Sequence, residues 1–402
     1  MEVFIVKLKN YVNQIEKEVI EIRRHLHKYP ELSNQEKETS NYIQQKLTEY
    51  GISFETGFAT YGVLGIIKGK HSGKTVALRA DMDALSMQEE NDHDFVSVHP
   101  NVMHACGHDA HTAMLLGAGY VLKQMEEKLH GTVLLVFQPA EEDSPIGGAQ
   151  VMMDDGVFDT YKPDVIYGQH VWPTLPTGQV GVTDREMMGA SDRFKIVLKG
   201  RGGHASMPHQ TSDVVVAAGH LITSLQTIVS RNLDPLEASV VTVSVLRAGS
   251  MPNVIPTEVV LEGSIRTYSE AIREKLKHRF FTMVNQVAEA FEAEVAIQYK
   301  DGYPATVNTP EWAETVRQSA RKVLGEDATP VVKPSMAGED FGRFLKKYPG
   351  CFIWLGVQLE NEEERVPLHD PHFKINEAAL SNGTGLLAQV AVDTLERLRG
   401  EE

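Results

Sequence analysis

The chain has 402 residues, of which 42% are hydrophobic and 23% charged, so it can bury a sizeable core and its length suggests two domains. Its 39 Lys and Arg against 55 Asp and Glu give a formal net charge of −16, which disfavours nucleic acid and anionic membranes as partners. Cys106 and Cys351 give no disulfide framework, and we expect neither a signal peptide nor a membrane-spanning segment. We therefore expect a small-molecule partner and a cytoplasmic location.

The first half of the chain alternates helices and strands. Apolar residues from Ile5 to Leu26 recur every three or four positions and predict an amphipathic helix that ends at Pro30. A second helix is predicted from about Thr112. Four segments are near-continuous apolar runs, as in strands covered on both faces. They are GVLGIIKG from Gly62, TVALRADMDAL from Thr75, GTVLLVFQPAEE from Gly131 and PDVIYGQHVW from Pro163.

The pattern changes between residues 190 and 299. There the order is strand, helix, strand, strand, helix, strand, which predicts a compact α+β insert of ferredoxin-like type. A buried strand from Gly350 and a last helix from about Glu377 to Arg399 then resume the first pattern. We therefore expect an α/β fold: a mixed sheet with helices on both faces, formed by residues 1–189 and 300–402 and interrupted by the 190–299 domain.

Side chains that bind transition metals fall near the ends of the predicted strands and in one C-terminal segment. They are Cys106, His108, Glu141, Glu142, His170 and His369. Taken singly, a cysteine is more often a buried thiol and a histidine a satisfied polar residue. Ligand sites in open α/β sheets lie outside the carboxyl ends of the strands, so the coincidence predicts a metal site there.

The adjacent pair Glu141 and Glu142 suggests a division of labour. Neighbouring residues on an extended backbone point to opposite sides, so the two carboxylates cannot both easily bind one ion. One can bind metal while the other accepts a proton from water, whose pKa a metal lowers toward roughly 7. This arrangement is typical of metal-assisted hydrolysis. Without the metal evidence, a solvated pair in a loop explains the two residues about as well.

The insert carries three further candidates. His204 lies in the Gly-rich segment GRGGHASMPH, Asn253 in MPNVIPTE and Arg266 in GSIRTY. An imidazole or amide donor stabilises the oxyanion of a tetrahedral intermediate, and an arginine fits a substrate carboxylate. A loop turn with ordinary surface pairing is the alternative, and spacing alone does not decide between the two.

The sequence resembles a family of dinuclear metallohydrolases that comprises bacterial aminoacylases, hippurate hydrolases and plant auxin-conjugate amidohydrolases, within the aminoacylase and metallocarboxypeptidase superfamily. The resemblance runs nearly end to end, and MHACGHDAHTAMLLGA is its most specific string. The segments that carry it are RRHLHKYPELSNQE, RADMDAL, MHACGHDAHTAMLLGA, VFQPAEE, GQHVWPTLPTG, GRGGHASMPH, PNVIP, SMAGEDF and LHDPHF.

The resemblance implies two divalent metal ions, manganese or zinc by preference and nickel or cobalt as further options. It implies five metal ligands, namely Cys106, His108, Glu142, His170 and His369. Glu141 would be the general base and His204 an oxyanion donor. Three further residues would support the metal ligands without binding metal themselves, namely Asp81, Asp83 and Glu339. Asn253 and Arg266 would hold the polar end of the substrate.

One departure from the wider superfamily concerns the metal bridge. There an aspartate bridges the ions and a histidine of a His-x-Asp motif is a ligand, whereas here Asp81 stands at the histidine's place. Five ligands must then serve two ions, and we expect the Cys106 thiolate to bridge them. The resemblance also implies that the insert is a lid and dimerisation domain of a homodimer or higher oligomer, with His204 reaching the partner's active site.

The sequence thus predicts a metal-dependent amidohydrolase that cleaves an N-acyl amino acid, or a related conjugate, to a carboxylate and a free amino acid. A dipeptidase or carboxypeptidase of the same superfamily is the nearest alternative, and a non-catalytic binding protein with this fold is another. A nucleotide-binding dehydrogenase is disfavoured, because GAGYVL at Gly117 lacks a third glycine and lies inside a predicted helix.

Overall fold

The structure is a computed structural model that describes residues 2–400, and the side chains of residues 2–5, Ile5 among them, lie outside the described part. The chain folds into two compact units. Unit 1 comprises Met1–Met187, Val307–Lys333 and Asp340–Glu402, and unit 2 comprises Met188–Thr306 and Pro334–Glu339.

Helices and strands are numbered in chain order. The helices are α1 (Glu2–Lys28), α2 (Lys37–Glu49), α3 (His108–Gln124), α4 (Gly148–Asp154), α5 (Val214–Thr227), α6 (Glu270–Ala290), α7 (Pro310–Leu324), α8 (Gly342–Leu345) and α9 (Ala378–Gly400). The strands are β1 (Ser53–Phe58), β2 (Gly62–Lys68), β3 (His71–Asp81), β4 (His130–Gln138), β5 (Val165–Pro176), β6 (Val180–Gly181), β7 (Glu186–Met188), β8 (Ala190–Lys199), β9 (Gly203–His204), β10 (Ser239–Ala248), β11 (Val254–Ile255), β12 (Glu258–Thr267), β13 (Glu294–Tyr303), β14 (Thr306–Val307) and β15 (Gly350–Gln358).

The sheet of unit 1 has seven strands in the order β1-β2-β4-β3-β5-β15-β6. The central strands β4, β3, β5 and β15 run parallel, whereas β1, β2 and β6 pair antiparallel toward the edges. Every residue of β3 from Val76 to Asp81 is buried, so both faces of the central sheet are covered. The predicted mixed sheet with helices on both faces is confirmed.

Helices α1, α3 and α9 pack together over the core of unit 1. The apolar stripe of α1 is buried there, with Leu8 and Ile22 fully inaccessible to solvent. Helix α3 begins at His108, four residues before the predicted start at Thr112. Its polar first turn is buried rather than solvated, because its side chains have charged partners inside the unit, so hydrophobic periodicity does not reveal it.

Unit 2 contains a four-stranded antiparallel sheet in the order β10-β12-β8-β13, with α5 and α6 packed on it. The chain order of these elements is the predicted one, and the strand order is that of a ferredoxin-like fold. Its core is separate from that of unit 1 and includes Leu221 from α5 and Phe280 from α6. The predicted α+β architecture of the insert is therefore confirmed.

One segment of the described chain, Val214–Asn232, is long and apolar enough to cross a membrane by length and composition. It comprises α5 and the π-helical segment Ile228–Asn232 that follows. Polar residues such as His220 interrupt it, while Leu221 and Leu225 are buried in the core of unit 2. In this structure the segment is a helix packed against a sheet.

Candidate metal centre

The parallel strands of unit 1 bring the candidate ligands to one edge of the sheet. Strand β3 ends at Asp81, and β4 ends at Gln138, three residues before Glu141. His170 lies in β5, the neighbour of β3 on the other side. Side chains that follow adjacent parallel strands share one crevice.

Cys106 lies at the centre of the cluster. Its Sγ is 3.4 Å from Nε2 of His170 and 3.3 Å from Nε2 of His369. His369 reaches the thiol from a loop: it adopts a left-handed backbone with φ of 63°, and its N–H donates to the carbonyl of Ala105 at 2.9 Å. Local backbone geometry thus brings a C-terminal histidine to a thiol 263 residues earlier.

The donor atoms form several overlapping sets, and two of these sets share Cys106. Those of Cys106, His108 and His170 lie within 4.8 Å of one another, as do those of Cys106, Glu142 and His369. A third set, at the same limit, is His108 with Glu141 and Glu142. Thiol, imidazole and carboxylate are the ligands of Zn²⁺ and similar ions, so two adjoining ions fit these donors.

A buried carboxylate orients two of the candidate ligands. Asp83 accepts hydrogen bonds from Nδ1 of His108 at 3.1 Å and from the backbone N–H of Glu142 at 2.9 Å. This leaves Nε2 of His108 facing the cluster, and within the described residues that buried atom has no hydrogen-bond partner. A buried polar atom without a partner is costly unless a ligand takes it, as a metal ion would.

The protonation states suit metal binding. Burial lowers the pKa of His170 well below its usual value, with a further contribution from His111, so its imidazole is neutral. Its Nδ1–H donates to the carbonyl of Val171 at 2.7 Å, so Nε2 presents a lone pair toward Cys106. Burial, followed by Glu142 and Glu141, raises the pKa of the Cys106 thiol well above its usual value. A bound cation deprotonates such a thiol.

The site attracts positive charge. Burial alone lowers the pKa of His108, but Asp81 and Asp83 outweigh burial and raise it to about 10. The carboxylates therefore hold a proton on this imidazole. A divalent cation competes for the same charge and releases that proton when it binds.

His111, the third histidine of the segment MHACGHDAH, has a different role. Its Nδ1 lies 2.5 Å from Oδ1 of Asp81, and its Nε2 accepts the backbone N–H of Val171 at 2.8 Å. Both ring nitrogens are thus occupied. His111 connects the end of β3 to the strand that carries His170, and these two hydrogen bonds are the role that we assign to it.

Asp81 and the SMAGEDF segment, with Asp340, were expected to support the site, but sequence reasoning missed Arg79, which connects them. Arg79 is fully buried and donates to Oδ2 of Asp81 at 2.6 Å, to Oδ1 of Asp340 at 2.9 Å and to Gln138 at 2.8 Å. The backbone N–H of Asp340 lies 3.4 Å from Oε1 of Glu141. No local signal exists for this network, since Arg79 and Asp340 are 261 residues apart.

The remaining predicted residues lie in unit 2. His204 is exposed in β9, and its Nδ1 accepts the N–H of Ser206 at 3.2 Å, so the proton of a neutral ring is on Nε2. Asn253 is exposed just before β11, and Arg266 is half-buried in β12. Glu339 is buried at the end of the 334–339 segment.

Comparisons with known proteins agree with these features. Residues 77–393 match the family described as peptidase family M20/M25/M40. The N-acetyl-L-cysteine deacetylase of Bacillus subtilis (strain 168) is 40% identical over 385 residues, which are 96% of this chain and 90% of that protein. Thermostable carboxypeptidase 1 of Saccharolobus solfataricus is 38% identical over 389 residues, 96% of this chain and 98% of that one. The crystal structure of the Bacillus subtilis YXEP protein, described as a dinuclear metal binding peptidase, matches with a TM-score of 0.83 and 33% identity over 96% of this chain and 99% of that chain.

Proposed function

The chain belongs to peptidase family M20/M25/M40 and is a metal-dependent amidohydrolase, and we propose that Glu141 is its general base and Cys106 its metal bridge. Its substrates are N-acyl amino acids or related conjugates, which it cleaves to a carboxylate and a free amino acid. The observation that carries this proposal is the pair of donor sets that share Cys106, with Glu141 beside them.

In this proposal two divalent ions would be held by five residues, namely Cys106, His108, Glu142, His170 and His369. When bound, the ions polarise the scissile carbonyl and lower the pKa of water toward roughly 7. Cys106 belongs to two of the donor sets, so its thiolate would contribute to holding both ions. Manganese, zinc, nickel and cobalt all accept these ligand types, and our preference for manganese or zinc rests on the family resemblance.

Glu141 takes the proton of the attacking water and later gives it to the leaving amine. Its position supports this role, because its carboxylate is buried beside Glu142 and His108, and the N–H of Asp340 fixes one side of it at 3.4 Å. Asp83 holds His108 and the backbone of Glu142. Asp81 holds His111, which in turn accepts the N–H of Val171 next to His170, so both aspartates support the ligands. We assign Glu339 a supporting role as well.

We assign the oxyanion donor and the substrate contacts to residues of unit 2. His204 presents an Nε2–H, because its Nδ1 already accepts from Ser206. Such a donor stabilises the oxyanion of a tetrahedral intermediate. Asn253 and the half-buried Arg266 bind the carboxylate end of the substrate, for which a guanidinium fork is well matched.

Unit 2 also carries the surface that we assign to a homodimer. Strand β10 lies at the edge of its sheet, and it exposes Val240 by 41% and Leu246 by 53%. Helix α5 exposes Val215 and Val216 to a similar degree. Exposed apolar edge strands tend to pair with another chain. Val240→Lys is therefore expected to shift the protein from dimer to monomer in analytical ultracentrifugation.

A carboxypeptidase is the second candidate, because the chain is 38% identical to a thermostable carboxypeptidase over almost its full length. A substrate panel separates the two functions. The protein, loaded with manganese or zinc, is offered N-acetyl, N-benzoyl and N-succinyl amino acids beside matched dipeptides, with Glu141→Gln as the control. Preference for an acyl series supports the amidohydrolase, and preference for dipeptides supports the peptidase.

A further inference from the structure

We propose that Glu36 is a positioning residue for the reaction: its carboxylate holds the backbone N–H of Ala140 and so fixes the turn that carries Glu141 and Glu142. The inference rests on the proposed roles of these two glutamates as general base and metal ligand. Glu36 lies 104 residues earlier in the chain and belongs to none of the donor sets described above.

Glu36 is placed to make one specific contact. Its side chain is completely buried, at the residue that precedes α2. Oε1 accepts the N–H of Ala140 at 2.7 Å. Within the described residues, Oε2 has no hydrogen-bond partner. A buried carboxylate is costly to keep, so the short hydrogen bond that this one accepts from a distant backbone amide is a feature to be explained.

Ala140 explains it. The residue adopts a left-handed backbone with φ of 56°, which is unfavourable for a residue with a Cβ atom. Its N–H is held by Glu36, and its carbonyl accepts the N–H of Gly148 at 3.0 Å. Hydrogen bonds on both sides keep Ala140 in this conformation. The chain therefore changes direction immediately before Glu141.

A second carboxylate holds the backbone on the other side of Glu141. Oδ2 of Asp83 accepts the N–H of Glu142 at 2.9 Å, while its Oδ1 is 3.1 Å from Nδ1 of His108. The amides of Ala140 and Glu142 are thus fixed by two buried acids. The backbone of Glu141 between them is fixed as a consequence, and with it the direction in which its carboxylate leaves the chain.

Hydrogen-bond acceptance, rather than negative charge, is the property that Glu36 provides. Burial, with a contribution from nearby Asp83, raises the pKa of Glu36 to about 7. The group therefore carries a proton much of the time near neutral pH. Glutamine has the same reach and the same acceptor oxygen without the charge, whereas aspartate keeps the charge but is one carbon too short.

This contrast defines the experiment. Glu36→Asp and Glu36→Gln are compared with the wild type and with Glu31→Asp as a control. Glu31 caps the same helix, accepting the N–H groups of Glu38 at 3.1 Å and Thr39 at 2.8 Å, but it does not contact Ala140. For each protein, Mn²⁺ affinity is measured by calorimetry, the free energy of unfolding by urea titration, and kcat and KM with the substrate that the panel identifies.

We expect Glu36→Asp to bind Mn²⁺ more weakly and to lower kcat, each by about 10- to 100-fold, with KM little changed. Glu36→Gln recovers most of both losses, and Glu31→Asp shows neither of them even where it lowers stability. Wild-type metal affinity in Glu36→Asp, or equal losses in the Asp and Gln variants, would overturn the inference. If the wild type cleaves no substrate, the proposed function fails, but the metal affinities still decide the role of Glu36.

Discussion

Each unit of the protein buries charged side chains, but the two units satisfy them differently. In unit 2, Oδ2 of Asp192 accepts from Nε of Arg273 at 3.0 Å and from Tyr299 at 2.7 Å, and Oδ1 accepts the N–H of Gly302 at 2.8 Å. In unit 1, the cluster around Cys106 keeps a buried nitrogen of His108 without a hydrogen-bond partner in the described chain. A buried charged group whose hydrogen bonds are all made within the protein, such as Asp192, stabilises the fold. A buried polar atom without such a partner, such as Nε2 of His108, indicates a place where a ligand binds.

The largest effect expected from this comparison concerns the two adjacent glutamates of unit 1. Glu141→Gln should lower kcat by about 10²- to 10⁴-fold, because the proton acceptor is lost, and should retain bound metal. Glu142→Gln should lose metal as well as activity, because a ligand is lost. Metal content by mass spectrometry beside kcat checks both statements. Full activity in Glu141→Gln would refute its assignment as the base.

Removing the hydrogen-bonded carboxylate of Asp192 in unit 2 should affect stability and not metal binding or activity. Asp192→Ala removes the buried ion-pair partner of Arg273, and we expect it to reduce the free energy of unfolding by about 3–5 kcal/mol. Asp301→Ala is the control, since Asp301 pairs with Lys277 in the same unit but is 58% exposed, so its removal should cost under about 1 kcal/mol. Urea denaturation measures both variants. Equal losses would mean that Asp192 is not an anchor.

The two cysteines of unit 1 allow a buried thiol inside the metal cluster to be compared with a buried thiol outside it. Cys106→Ala should weaken metal binding by about 100-fold, because a thiolate ligand is lost. Cys351→Ala removes another buried thiol, from β15, and should leave metal affinity at the wild-type value while costing some packing energy. Calorimetric titration with Mn²⁺ distinguishes the two. Equal affinities in both variants would exclude Cys106 as a ligand.

The smallest expected effect is on the pH dependence of stability, and its sign differs between the units. Burial raises the pKa of Asp192, but hydrogen bonds from Arg273, Gly302 and Tyr299 outweigh it and lower the pKa. The stability that Asp192 provides is therefore complete above about pH 4 and is lost as the pH falls further, by at most about 1.4 kcal/mol per pH unit. Asp192→Asn should flatten this acid limb in denaturation series.

Glu36 in unit 1 should act in the opposite direction. Its pKa is raised to about 7, so the native state holds its proton more strongly than the unfolded state. Stability from this group is complete below pH 4.5 and is lost as the pH rises toward about 7. The same denaturation series with Glu36→Gln should lack this decline. A wild type whose stability rises steadily from pH 4.5 to 7 relative to Glu36→Gln would contradict the sign.

Sequence patterns predicted those parts of the protein that depend on residues close together in the chain. Apolar runs marked β3, β4 and β5, and the polar residues after them, such as Glu142, could be expected at one sheet edge. The insert was recognised because its alternation of strands and helices is local as well. Motif resemblance then supplied roles that spacing alone could not assign.

The missed features depend on contacts between distant residues or on unusual backbone angles. Arg79 meets Asp340 across 261 positions, and neither residue type announces its partner. Ala140 and His369 adopt left-handed conformations although neither is glycine, so no residue preference indicates their turns. The role of Glu36 depends on the left-handed backbone of Ala140, whose amide it binds. A contact with a backbone amide leaves no trace in the sequence.

The central claim is that ions held around Cys106 are required for amide hydrolysis. The most direct measurement removes metal from the folded protein, restores it stepwise with manganese or zinc, and follows bound ions per chain together with release of amino acid from an N-acyl substrate. We predict no release from the stripped protein and activity that rises to a plateau at two ions per chain. Undiminished hydrolysis by stripped, folded protein would contradict the account.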